Sequence, residues 1–312
     1  MARRHFPLHI RGLRDDKAPG RRYRGAQRTV VRRDARRAPP LTRRPMTRYL
    51  AESRSAYYGA WCALPLLAVY EALLWLAGPA HGMQVRNAAD VWLRTLMESL
   101  GLRPMQATLA TMGLVAAAIP VLRRGGIRLN GRYLALMLGE ALVYSLALGL
   151  VINLMLYALV YSWLAAAPSL AVSWLAVSWL PAPAVPWLPA AAVPWLPVAA
   201  MPESREVLVG VALSLGAGLF EELAFRVVLL TVLLSLFRLV LRPAWAATAA
   251  IVLAALIFSL AHYGGPLGEP FNVHTLLYRW LAGLLFTLLY YQRGFAITAY
   301  AHALYDIWVL LV

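Results

Sequence analysis

The chain has 312 residues, of which 61% are hydrophobic and only 14% charged, and its mean hydropathy is +0.61. That apolar share exceeds what a soluble domain carries and places much of the chain in lipid. The formal charge of +16 does not make it a nucleic-acid binder, because 17 of the 30 Lys and Arg lie in residues 1–54 against four of the 14 acids, leaving about +3 downstream.

Residues 1–54 are polar, Arg-rich and without hydrophobic period, with runs such as Arg21-Arg22-Tyr23-Arg24 and Arg32-Arg33. They read as a disordered cytoplasmic tail, with a dispensable leader or a nucleic-acid arm as alternatives; no nucleic-acid partner is expected. The run is too long and its apolar part too late for a cleaved signal peptide. The lone cysteine, Cys62, sits in an apolar span and reads as a small core residue.

Seven windows are apolar enough to cross about 30 Å of hydrocarbon: 56–78, 106–122, 133–160, 206–238, 244–262, 273–292 and 294–312. The fold class is therefore all-α, a polytopic transmembrane helix bundle of about seven spans. With the basic tail inside, Arg123, Arg124, Arg128, Arg132, Arg238, Arg242 and Arg293 all fall on the cytoplasmic side, as the positive-inside rule expects. An eighth crossing hidden in 156–200 would move three of these arginines outside. The expected location is the plasma (inner) membrane, multi-pass, with the lipid bilayer as a partner.

Residues 55–163 form the first membrane region. Within it, 88–101 places Val91, Trp92, Leu93, Leu96, Met97 and Leu100 on one helical face and Asp90, Arg94, Thr95 and Glu98 on the other. This is an amphipathic helix, either lying on the bilayer or packed into the bundle. Residues 164–203 follow as a Trp/Pro/Ala-rich insertion with a near-repeat, Ala171-Val-Ser-Trp-Leu175 through Ala192-Val-Pro-Trp-Leu196. Its prolines exclude a straight helix from about residue 181.

The chemistry concentrates in 204–312. An ionisable group in the bilayer costs at least ~2.5–3.5 kcal/mol, so a cluster of them needs a reason. Three groups stand out: Glu221-Glu222 with Arg226 after the small stretch Gly216-Ala217-Gly218; Phe258 with His262; and His302 with Asp306. Glu222 and Arg226, at i and i+4 with the acid first, form an ion pair. Glu221 points about 100° away and is the candidate general base. Asp306 is expected to accept from one ring nitrogen of His302 and leave the other aimed into the bundle. Phe258, one turn before His262, would wall the imidazole. Gly216 and Gly218 allow close approach of another helix or of substrate backbone. Of the other intramembrane polar residues, Glu71, Glu140, His274 and Arg279 read as paired or interfacial.

The order Glu-Glu-x-x-x-Arg, Phe-x-x-x-His and His-x-x-x-Asp resembles the CPBP intramembrane protease family, which includes the type II CAAX prenyl endopeptidases and bacteriocin-processing or immunity-type membrane proteins. The resemblance covers roughly 205–312 and, in outline, the first two spans with their amphipathic helix. It implies an endopeptidase in which Glu221 and His262 activate water, His302 and Asp306 stabilise the oxyanion, and Glu222, Arg226 and Phe258 support the site. The substrate would be a membrane-anchored or membrane-proximal protein or peptide. Asp306 stands where the prenyl endopeptidases carry asparagine, which detaches the expectation of hydrolysis from that of a prenylated substrate. The favoured chemistry is glutamic and without cofactor; if metal-assisted, Glu221, His262 and His302 are the expected ligands of a divalent ion such as zinc. A non-catalytic immunity or binding protein retaining the site is the alternative. A proton-coupled transporter would need repeated bundle halves, which the sequence does not show.

Overall fold

The computed structural model describes residues 45–77, 86–123, 127–166, 204–265 and 268–311. Residues 1–44, and with them most of the basic tail, lie outside these, as does the insertion from 167 to 203.

The described residues fold into helices without a strand: α1 (Pro45–Ser53), α2 (Ala56–Ala77), α3 (Ala88–Ser99), α4 (Pro104–Leu122), α5 (Gly131–Ala166), α6 (Ser204–Gly216), a π-helical segment (Ala217–Leu229), α7 (Leu230–Phe237), α8 (Pro243–Ala261), α9 (Val273–Arg293) and α10 (Phe295–Leu311). Starts and stops follow local chemistry. Pro104 and Pro243 occupy first-turn positions where no amide donor is needed. Asn87 and Asn272 cap α3 and α9 with their side-chain oxygens. Gly294, at φ 78°, turns the chain from α9 into α10, and a Cβ there would stand 2.8 Å from the Arg54 carbonyl.

Among the described residues, five helices are long and apolar enough to cross a membrane: Ala56–Ala77, Pro104–Leu122, Gly131–Leu159, Pro243–Ala261 and Val273–Arg293. Phe295–Leu310 is a shorter apolar helix, and the expected fourth span is divided among α6, the π-helical segment and α7. The protein is thus a multi-pass helical membrane protein. Its outward faces carry large apolar side chains such as Trp75, Leu114, Leu136 and Leu146, the surface that lipid rather than water solvates. Helix α4 is peripheral, with Ala107 its one buried residue.

Helix α10 lies at the centre, packed against α2, α5, α6, α9 and the π-helical segment. Small side chains make this possible: Ala296, Thr298, Ala299, Ala301 and Ala303 are buried along it. The partner glycine is Gly218, where a Cβ would come within 2.4 Å of the Ala299 carbonyl oxygen. The small-residue stretch before Glu221 therefore serves helix contact.

Three expectations change. The end of the tail is not disordered: residues 45–53 form α1, because Tyr49 and Ser53 are buried against α5 and α9. There Arg293 Nη2 donates to Glu140 Oε2 at 2.6 Å and to Ser53 Oγ at 3.1 Å, while the Tyr49 hydroxyl donates to Glu140 at 3.1 Å. The third span runs on to Ala166 and so takes the first residues assigned to the insertion. Finally, the polar side of α3 divides: Asp90 and Arg94 meet protein, whereas Thr95 and Glu98 stay exposed. Asp90 and Arg94 are buried while Trp92, Leu96 and Leu100 are exposed, since four charges compensate one another beneath the helix. Glu71 accepts from Arg86 and Arg94, and Asp90 accepts from Arg86 at 2.6 Å, from Arg94 at 2.9 Å and from the Tyr70 hydroxyl at 2.7 Å. Burial opposes the Arg86 charge, but its bonds to Glu71 and Asp90 more than offset that and hold the guanidinium above its ordinary range.

Candidate active site

The widened helix at Ala217–Leu229 presents Glu221, Glu222 and Arg226. Its i to i+5 bonding is seen where the Leu230 amide donates to the Phe225 carbonyl, a hydrogen-bonding register that concentrates at functional sites. Glu222 is fully buried and Arg226 nearly so. Arg226 Nη1 lies 3.0 Å from Glu222 Oε1, so the expected ion pair forms, although the helix between them is not an α-helix. Among the described residues, the guanidinium nitrogens of Arg226 have no partner in hydrogen-bond geometry. The group sits 4.4 Å from the centre of the Phe258 ring and 5.7 Å from that of Phe286, and the ring faces supply part of the missing stabilisation.

His302, brought in by α10, is buried with its ring stacked on Phe286 at 4.4 Å. Its Nδ1 lies 2.7 Å from Glu222 Oε1; since a carboxylate accepts, Nδ1 carries the proton and donates. Nε2 faces Asp306 Oδ2 at 3.5 Å and Glu221 Oε2 at 4.0 Å. This corrects the expected arrangement: the partner that orients the imidazole is Glu222, across the helix interface, and Asp306 stands off beyond hydrogen-bond length. The i, i+4 spacing places Asp306 beside the ring, but the buried acid on the facing helix is closer.

His262 ends α8, with Nδ1 2.9 Å from the Phe258 carbonyl. The carbonyl accepts, so Nδ1 donates here too, and Nε2 is free to take a proton. Its ring packs edge-on to Phe258 at 5.1 Å, as expected, and Phe258 in turn meets His302 at 6.2 Å. His262 joins the cluster through that aromatic ring, and among the described residues it makes no hydrogen bond to Glu221 or His302. Among the same residues no three His, Cys, Asp or Glu side chains are gathered to hold a metal ion. Glu221, His262 and His302 as placed are not a preformed ligand triad.

Glu221 keeps 12% of its side chain exposed, whereas Glu222 keeps none, the separation of roles that the helical spacing predicts. Its partner was not legible in the sequence. Asn87 Nδ2, from the cap of α3, donates to Glu221 Oε1 at 2.7 Å; a capping Asn before an amphipathic helix gives no sign that it reaches another helix. Among the described residues, His274, Arg279, Glu71 and Glu140 make no hydrogen bond to Glu221, His262, His302 or Asp306. The first begins α9, Arg279 pairs with Glu269 at 2.7 Å, and the two acids neutralise the arginines described above.

Residues 203–308 match the family model described as type II CAAX prenyl endopeptidase, Rce1-like. No curated protein and no solved structure matches the chain. Glu221, Glu222, Arg226, His262, His302 and Asp306 all lie inside the matched segment, which is similar to the Rce1-like type II CAAX prenyl endopeptidases.

Proposed function

We propose that the protein is an intramembrane endopeptidase that hydrolyses a peptide bond in a membrane-anchored or membrane-proximal protein or peptide. The observation that carries this reading is the pairing of a partly exposed carboxylate, Glu221, with the Nε2 edge of a buried, oriented imidazole, His302, across 4.0 Å. That gap is too long for a direct hydrogen bond and suits one bridging water. Glu221 takes a proton from this water as the oxygen attacks the peptide carbonyl carbon, with His262 Nε2 as the second acceptor for the water's protons. Negative charge then develops on the carbonyl oxygen. In its doubly protonated form His302 donates Nε2–H to that oxyanion, with Asp306 alongside. When the C–N bond breaks, Glu221 returns its proton to the leaving nitrogen. Two products result, a carboxylate and an amine. Glu222 and Arg226 touch no reacting atom and hold the imidazole in place.

A buried imidazole held at 2.7 Å by Glu222, with Glu221 partly exposed beside its other nitrogen, supports a hydrolase over a non-catalytic immunity or binding protein. The cytoplasmic placement of residue 45 and a plasma (inner) membrane location belong to the same proposal, resting on the basic loops. The test uses the full chain in lipid vesicles, incubated with a library of vesicle-anchored peptides, beside Glu221→Gln and His302→Ala, with and without chelator. Cleavage by the wild type that both variants lose by at least about a hundredfold is expected. Cleavage persisting in Glu221→Gln overturns the proposed base, and cleavage lost to chelator alone moves the chemistry to a metal.

A further inference from the structure

We propose, resting on the reading of Glu221 as general base, that Asn87 is a positioning residue whose amide couples the seating of α3 to the orientation of that base. Both ends of the amide are engaged. Oδ1 accepts from the Ala89 amide at 2.9 Å, capping α3, while Nδ2 donates to Glu221 Oε1 at 2.7 Å. Flipping the group would set its oxygen against a carboxylate oxygen and its NH2 against a backbone N–H, so the helix start itself selects the rotamer that grips Glu221.

The grip is supported from below and behind. Asn87 is buried, and a Cβ on Gly216 would stand 3.1 Å from Asn87 Cβ and 2.7 Å from Tyr70 Cε2. Tyr70 is the residue that donates to Asp90 at 2.7 Å. Asp90 and Glu71 carry two negative charges against the two positive charges of Arg86 and Arg94, so α3 is locked to α2 by a charge-balanced network one turn from the cap. A carboxylate with one oxygen held has the direction of the other fixed, and here that other oxygen, Oε2, is the one facing His302 Nε2. The charged knot thus sits at the far end of a chain of contacts whose near end is the proposed base.

The two jobs of Asn87 separate by substitution. Asp and Ser cap a helix as well as Asn does, but neither offers the amide donor. The test compares Asn87→Asp, Asn87→Ser and Asn87→Ala in the full chain in lipid vesicles, on a vesicle-anchored peptide that the wild type cuts. Thr95→Ala, on the exposed side of the same helix, serves as the control. Loss of kcat by roughly ten- to a hundredfold in Asn87→Asp and Asn87→Ser, with KM within about twofold and Thr95→Ala unchanged, is the expected result. Wild-type kcat in either cap-preserving variant overturns the proposal.

A second measurement is independent of turnover. Asn87→Asp opposes two carboxylates and lowers Tm, and adding Glu221→Gln, whose amide donates back, recovers it. A Tm loss that Glu221→Gln does not recover overturns the contact. A wild type that cuts no peptide fails the peptidase reading alone, and the Tm cycle then decides whether the clamp exists.

Discussion

Glu222 and His302, 80 residues apart in the chain, meet in a 2.7 Å hydrogen bond sealed from solvent, and the same carboxylate oxygen lies 3.0 Å from Arg226. One oxygen thus neutralises a buried cation on its own helix and sets the tautomer of an imidazole on another. Helical packing and site chemistry are joined at a single atom, so damage to it is expected to register in both stability and turnover.

Removing that atom is the first prediction. Glu222→Ala leaves Arg226 buried without an anion, and orphaning a buried charge costs about 3–5 kcal/mol. Glu222→Ala is therefore expected to be recovered in poor yield and to unfold far below the wild type in a thermal or detergent titration. The paired replacement Glu222→Gln with Arg226→Met removes both charges and is expected to regain most of the stability while remaining inactive. Equal instability of the single and double variants would mean that the ion pair is not what the fold depends on.

Phe258 touches Arg226, His262 and His302 at once. Phe258→Leu keeps an apolar filler but removes the ring face under the guanidinium. It is expected to destabilise the protein by about 2 kcal/mol, the value of a desolvated cation–π contact. The cation–π part of the effect should vanish when Phe258→Leu is introduced on top of Glu222→Gln with Arg226→Met, because the cation is then gone, leaving the smaller cost of lost ring packing. A thermal-melt cycle reads this directly.

Two glycines separate packing from helix propensity. At Gly218 an added Cβ would lie 2.4 Å from a backbone oxygen and 2.7 Å from Ala303 Cβ, neither of which is a flexible side-chain end. Gly218→Ala is expected to push α10 away from the π-helical segment, costing about 1–3 kcal/mol and displacing His302 from Glu222. Gly139, within α5, has nothing within 4 Å of its added Cβ. Gly139→Ala should be neutral or stabilising by up to about 1 kcal/mol. Similar melts for the two variants would contradict the close helix contact.

What the sequence made legible follows from range. Glu222 with Arg226, and Phe258 with His262, are neighbours on one helix, so spacing alone predicts their meeting, and the charged residues in apolar windows mark the site because lipid makes them costly. Contacts between elements were beyond that reach. Spacing favoured Asp306 as the partner of His302, and the facing helix supplied Glu222 instead. It is equally silent on Asn87, which reaches Glu221 only once α3 has folded over the bundle. The π-helical register leaves the pattern of apolar and polar residues nearly unchanged, and α1 is too short and too Arg-flanked to stand out from the tail until Tyr49 and Ser53 are seen buried on its inner side.

Asp306 provides the last test, because its position beside the imidazole supports two different roles. Its Oδ2 stands 3.5 Å from His302 Nε2 and its side chain is 31% exposed, so it has room to turn toward a substrate oxygen. If it serves by its polarity, holding the oxyanion through His302 and an intervening water, Asp306→Asn preserves that capacity. Asparagine then keeps kcat within about tenfold of the wild type, while Asp306→Ala falls by about 10²–10³, the cost of an oxyanion-site group. If Asp306→Asn is instead as inactive as Asp306→Ala, the negative charge itself is required, and Asp306 takes part as a proton acceptor or in holding His302 as imidazolium. Measuring kcat for the two variants on one vesicle-anchored peptide decides between a polar and a charged role.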